Sequence, residues 1–184
     1  ERFLHPFVYR RYLDFRAFGE LRDLKRMISQ ELIRKGDHQN VKLGQGGIRE
    51  IEFIGQAFQL IRGGSEKSLQ RREILAVLSA LGTLGLLPEE TVTELKAHYR
   101  TLRIIENRLQ EYRDQQTHTL PKSEEQQQAL AHALGYGDYP SFLSALTELQ
   151  SRVHQVFEDV IRIDTDSGKA PFPLDGDTEA LVSA

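Results

Sequence analysis

The chain has 184 residues, 28% of them charged, a formal net charge of −3 and no cysteine. That length holds one domain with a real core. The slight acidic balance supplies no basic field for nucleic acid, and the lack of cysteine excludes disulfides, thiolate metal sites and a cysteine nucleophile. No apolar run of roughly eighteen residues and no signal-peptide core occurs, so the expectation is a cytoplasmic chain with no membrane partner. The chain opens on Glu1 and its single methionine is Met27, which reads as a segment of something longer.

Residues 1–14 are rich in aromatics (Phe3, Phe7, Tyr9, Tyr12) with Arg10 and Arg11 between them, and His5-Pro6 breaks any helix there. Such interleaving suits base stacking, or the plugging of a seam to a neighbouring domain, which is the reading preferred here. A helix is predicted over 15–35 from the stripe Phe18, Leu21, Leu24, Ile28 and Leu32, with Gly36 ending it. Its charged face, Arg22, Asp23, Lys25 and Arg26, is read as solvated. A glycine-rich turn, residues 41–47, then feeds a helix over 48–62. Ile48, Ile51, Ile54, Phe58 and Ile61 recur at helical steps, Phe53, Ala57 and Leu60 widen the stripe, and only a narrow polar row of Arg49, Glu52, Gln56 and Gln59 remains. A helix apolar over most of its circumference belongs inside a bundle. Gly63-Gly64 is expected to supply a left-handed C-terminal residue.

Further helices are predicted over 69–81, capped by Ser68, and over 88–113, begun by Pro88 with Glu89 and Glu90 behind it. The long one carries the stripe Val92, Leu95, Tyr99, Leu102, Ile105, Leu109 and Tyr112. Its other face, Arg100, Arg103, Glu106, Asn107, Arg108 and Glu111, is read as solvated and laced with weak ion pairs. Ser123 with Gln126 resembles a capping box for a short helix to Leu134, and a last helix starts near Pro140 or Ser141 and runs to Ile163. Residues 164–184 lack periodicity and read as flexible linker. The fold class is therefore all-α, an antiparallel up-and-down bundle of five to six helices over 15–163, with 1–14 a joint to a preceding domain.

The start of the 48–62 helix is where chemistry is expected. A first turn offers unpaired N–H groups and the positive end of the helix dipole, and glycines allow a close approach. Lys42 and Arg49 add positive charge and Glu50 and Glu52 add carboxylates, a combination that suits a phosphate. The plainer reading is a turn and cap. On the phosphate reading the candidate binding residues are Lys42, Gly46, Gly47, Arg49 and Glu50. A bulkier residue at Gly47 should then weaken ligand binding more than folding. Glu50 and Glu52 lie about 200° apart around the axis and cannot share a metal. The six histidines show no paired metal-ligand spacing.

The stretch from Lys42 to Phe53, followed by Gln59-Leu60-Ile61-Arg62-Gly63-Gly64, resembles the signature of bacterial glutamine synthetase adenylyltransferase/deadenylylases. So do Pro6 to Asp14 upstream, and Arg108-Leu109-Gln110 and Gln116 to Pro121 downstream. The shorter core of two glycines, Ile, Arg and an acid is also similar to PII uridylyltransferases. The resemblance implies the helical domain that follows the first, deadenylylating nucleotidyltransferase domain. It further implies phosphorolytic removal of AMP from glutamine synthetase, with Mg2+ and ATP, ADP or phosphate as cofactors of the whole enzyme. Glutamine synthetase, the PII signal protein and the preceding catalytic domain are the implied partners. The aspartates such chemistry uses to hold magnesium have no counterpart in this sequence, so the chain alone is expected to be catalytically silent. Two other classes are open: an interaction module that binds glutamine synthetase or PII protein without touching nucleotide, and a nucleic-acid binder using Arg10, Arg11, Arg22 and Arg26, which the net charge disfavours.

Overall fold

A computed structural model describes residues 39–111 and 118–161, together with Asp23, Arg26, Met27 and Gln30. The expected joint at 1–14, the rest of the 15–35 helix, residues 112–117 and the expected linker at 164–184 lie outside the described residues. Asp23, Arg26, Met27 and Gln30 are helical and exposed, and Arg26 pairs with Asp23 at 3.2 Å.

Among the described residues there are five α-helices, one 3-10 turn and no strand. They are α1 (Ile48–Arg62), α2 (Ile74–Thr83), α3 (Glu89–Glu111), α4 (Glu124–Ala133) and α5 (Tyr139–Ile161). The all-α bundle expected from the sequence is what forms. Helix α1 touches α2, α3 and α5, and α5 touches α1, α3 and α4. Ile48, Ile51 and Ile54 of α1 meet Leu78 and Leu81 of α2, Leu95 and Leu102 of α3 and Phe142 and Phe157 of α5 in one buried core. Each fully buried side chain of this kind stabilises by roughly 1.5–3 kcal/mol. A fifteen-residue helix is marginal by itself, so this burial is what holds α1.

Several ends follow the sequence. Pro88 stands just before α3 and its carbonyl accepts from Val92 N at 3.0 Å. Ser123 caps α4 by accepting from Gln126 N. Gly135, at φ 84°, stops α4. Other ends do not. Gly63 has φ −61° and stays right-handed, so α1 runs out into a turn in which Ser65 and Glu66 N–H groups share the Arg62 carbonyl. The helix expected over 69–81 begins only at Ile74, after a single 3-10 turn at Lys67–Leu69. The reason is cross-chain bonding. Gln59 Nε2 donates to the carbonyls of Leu69 and Arg71, both at 2.7 Å, and Gln70 Nε2 donates to that of Gly63 at 2.6 Å. The connector's acceptors are thus turned back onto α1 rather than along a helix. At the start of α5 the cap is Asp138, whose carboxylate accepts from Ser141 N at 2.8 Å.

One short pairing closes the bundle. Asn40 and Thr119 form an antiparallel bridge, with Val41 N donating to the His118 carbonyl at 2.8 Å and Leu120 N to that of Gln39 at 3.1 Å. It ties the approach to the glycine turn to the segment that follows α3.

His98 on α3 gives the fold a pH dependence. Burial, the largest cause, and Arg152 hold its pKa below the ordinary 6.5, against an opposing pull from Glu94. Its Nδ1 is buried without a hydrogen-bond partner. The folded chain therefore keeps His98 neutral at a pH where the unfolded chain has protonated it. That contribution is fully present above 6.5 and is lost as pH falls through the lower folded value. His98→Gln is expected to lose less stability than the native chain between pH 7 and pH 5, read as urea midpoints; parallel slopes would remove His98 from the account.

Candidate functional site: the glycine turn and the α1–α3 seam

The glycine turn is built by its own backbone. Asn40 Oδ1 accepts from Lys42 N at 3.0 Å and Leu43 N at 2.8 Å, the local closure typical of asparagine. Gly44 N donates to Asn40 O, Gly47 N to Gly44 O, Ile48 N to Val41 O, Arg49 N to Lys42 O and Glu50 N to Gly47 O, all at 2.9–3.2 Å. Gly46 N donates to the Glu50 side chain, Oε2, at 2.9 Å. Every N–H from Gly46 to Glu50 is thereby occupied. The expectation of unpaired first-turn donors does not hold, because the chain folds its own carbonyls and one carboxylate onto them.

The glycines answer to the same packing. Gly46 is left-handed at φ 67°, and a Cβ there would lie 1.9 Å from the Gln150 carbonyl oxygen of α5. Gly47 is not left-handed, but a Cβ on it would meet the Lys42 and Val41 carbonyl oxygens at 2.8 Å and that of Gly44 at 2.9 Å. Substitution at Gly47 therefore strikes the turn's own hydrogen bonds, a folding cost that adds to any loss of binding.

The candidate residues divide between two sides of α1. On the α5 side stand Gly46 and Glu50. The Glu50 side chain is wholly buried, and its Oε2 lies 3.2 Å from His154 Nδ1, which donates when that nitrogen carries the proton. His154 stacks on Phe157 and has Glu158 at 3.9 Å. Glu50 thus closes the turn and ties it to α5.

On the α3 side stand Lys42 and Arg49. Lys42 Nζ is 3.2 Å from Glu106 Oε1. The same carboxylate takes Arg103 Nη1 on Oε2 at 2.5 Å and has His118 Nδ1 3.2 Å from Oε1. Oε1 is buried without an aligned hydrogen bond, so its attraction to Lys42 is electrostatic rather than directional. Glu106, expected on a solvated face, is only 2% exposed. Arg49 pairs through Nη1 with Glu52 at 2.9 Å, as its helix spacing implied, and lies over the Phe53 ring at 5.5 Å. Between the two helices stands Tyr99, with the Arg103 guanidinium 5.7 Å over its ring. Burial is the main reason its phenol pKa is raised; Arg103 opposes, and Glu52 and Glu106 add to the rise. Arg49–Glu52 of α1 and Tyr99–Arg103–Glu106 of α3 are therefore one electrostatic neighbourhood.

Glu106, Arg103, His118 and His154 were missed from the sequence. The signal for Glu106 was available: it follows Leu102 by four residues and precedes Leu109 by three, on the stripe that α3 buries.

Magnesium requires several oxygens converging on one point. Among the described residues no three His, Asp or Glu side chains do so, and the two buried carboxylates, Glu50 and Glu106, are turned towards bases. The described residues do not fit a magnesium site.

The sequence model of the GlnD PII-uridylyltransferase family matches residues 22–161. Two curated relatives are both named bifunctional glutamine synthetase adenylyltransferase/adenylyl-removing enzyme. The protein of Methylococcus capsulatus is 55% identical over 184 residues, covering 100% of this chain and 19% of the relative. That of Nitrosococcus oceani is 57% identical over 155 residues, 84% of this chain and 16% of the relative. The chain spans less than a fifth of the length of either.

Proposed function

The chain belongs to the GlnD PII-uridylyltransferase family, and on that premise we propose that it is the helical domain of a glutamine synthetase adenylyltransferase/adenylyl-removing enzyme, working as one wall of a nucleotide and phosphate cleft. The identity to two relatives of that name favours this branch over uridylyl transfer. In this reading the accompanying nucleotidyltransferase domain supplies the magnesium and ATP chemistry. Glutamine synthetase is the protein substrate, PII protein the regulator and the cytoplasm the setting. No described helix is long and apolar enough to cross a membrane.

The reaction is phosphorolysis: a phosphate oxygen attacks the phosphorus of tyrosine-bound AMP, the tyrosine oxygen leaves, and ADP is released. Attacker and target are both anionic, so fixed cations lower the barrier by offsetting charge as they meet. Lys42 and Arg49 are the cations offered, linked directly by the Arg49 N to Lys42 O bond. Gly46, Gly47 and Glu50 contribute by shaping the turn that carries them. The observation that carries the reading is Arg49 itself. On a helix buried over most of its surface its side chain stays 43% exposed, yet is held in place by Glu52 and the Phe53 ring. That is a positioned surface cation rather than a core residue.

In the longer enzyme, Arg49→Ala is expected to lower the rate of phosphorolysis by about 100-fold, the scale of losing one aligned transition-state donor. Its melting temperature should stay within about 2 °C, since exposed ion pairs add little. A large fall in melting temperature with unchanged activity per folded molecule would make Arg49 structural.

A further inference from the structure

We propose that Lys42 and Arg103 form a two-armed clamp for a phosphate group on the α1–α3 seam, with Glu106 as the residue that positions both arms. The inference rests on the cleft reading above and adds Arg103, a residue outside the glycine turn. Two cations from different elements meet on the two oxygens of one carboxylate, Lys42 on Oε1 and Arg103 on Oε2. The Glu106 side chain is 3% exposed, whereas those of Lys42 and Arg103 are 32% and 43% exposed. The counter-ion lies beneath and solvent meets the cations.

The arms are only partly used. Arg103 gives Glu106 its Nη1 alone, which leaves Nε–H and Nη2–H, a pair of parallel donors suited to two oxygens of a phosphate. The Lys42 ammonium has three protons and one carboxylate contact. The Arg103 guanidinium also lies 5.7 Å from the centre of the Tyr99 ring, and with the Glu106 contact this restricts the side-chain freedom still to be lost on binding. Local charge agrees. Three cations, Lys42, Arg49 and Arg103, face two carboxylates, Glu52 and Glu106, leaving +1 before His118 is counted, in a chain whose net charge is −3. A phosphate dianion is drawn to this seam more than to the surface at large. It arrives as inorganic phosphate or as the terminal phosphate of a nucleoside diphosphate, and the clamp grips the group common to both.

The test is a titration of the chain with inorganic phosphate, ADP and adenosine at constant ionic strength, following the Arg103 Nε–H resonance. Phosphate and ADP are expected to shift it saturably and adenosine is not; equal shifts with adenosine would overturn the assignment. Arg103→Gln should weaken phosphate binding about tenfold or more, the scale of one charge-assisted pair. Glu106→Gln separates a positioned clamp from a plain basic patch. It raises the local charge by one, so a patch would bind phosphate more tightly, whereas loss of positioning weakens binding several-fold. Tighter binding by Glu106→Gln, or native binding by Arg103→Gln, sinks the clamp; should Glu106→Gln fail to fold, Arg103→Gln decides alone. In the longer enzyme, an unchanged KM for phosphate in Arg103→Gln beside a loss of rate in Arg49→Ala would remove the clamp and leave the cleft reading standing. No loss in Arg49→Ala would remove the cleft reading itself.

Discussion

Gly46→Ala is expected to lower the melting temperature by about 10 °C, the largest effect expected of a glycine-to-alanine change among the described residues. Two costs act together. The left-handed backbone at φ 67° disfavours any L side chain by about 1–2 kcal/mol. The added Cβ would also stand 1.9 Å from the Gln150 carbonyl oxygen, 2.4 Å from its carbon and 2.5 Å from its Cα. These are backbone atoms in the middle of α5, so no side chain can swing aside. Either the turn lifts or α5 moves, and the Gly46–Glu50 hydrogen bond goes with it. A total of about 3–4 kcal/mol converts to about 10 °C at 2–4 °C per kcal/mol for a chain of this size. Gly85→Ala is the internal control. Its φ is 64° but the space around it is open, so it should show only the backbone cost. Thermal melts followed by circular dichroism compare the two, and equal shifts would mean that the turn does not rest on α5 as described.

Glu50→Ala should be at least as damaging, by about 3–5 kcal/mol, the scale of breaking a buried charged contact from one side. The carboxylate is fully buried. Its removal leaves the Gly46 N–H without its acceptor and withdraws from His154 the carboxylate it faces. Glu50→Gln keeps the size and an acceptor oxygen and should lose less than half as much. Urea midpoints for the three proteins settle the order; a Glu50→Ala midpoint close to native would show that the carboxylate is not what holds the turn. Such a loss is a large fraction of the 5–15 kcal/mol that stabilises a typical domain. Glu50 therefore serves the fold of the site before it serves any ligand.

The bounds of α1 were legible because burial sets its apolar period and a glycine stands at each end. The start of α2 was not. Local propensity could not register that Gln59 reaches across to the Leu69 and Arg71 carbonyls of the connector, while Gln70 reaches back to that of Gly63. Asp138 was overlooked as a cap because Pro140 and Ser141 drew the start of the helix forward, although its carboxylate does what such residues commonly do. At the candidate site, the turn and its two cations were visible as composition. Their partners were not: Glu106 lies 64 positions beyond Lys42, and His154 lies 104 beyond Glu50. Pairing at that distance is decided by how helices pack, and a polar residue on a helix reads as solvated until its place on the buried stripe is counted.

The seating of the turn on α5 also governs how the molecule comes apart. A helix start is ordinarily the first place to fray, since its amides rely on local turns. Here the amide of Gly46 is closed by a fully buried carboxylate, beneath a backbone contact with a helix about a hundred residues further along. Deuterium exchange at that amide is therefore expected to be as slow as at the core amides of α5, so that the turn opens with the bundle; faster exchange at Gly46 would show that it opens first. On that expectation the backbone positions that carry Lys42 and Arg49 keep their spacing for as long as the domain is folded.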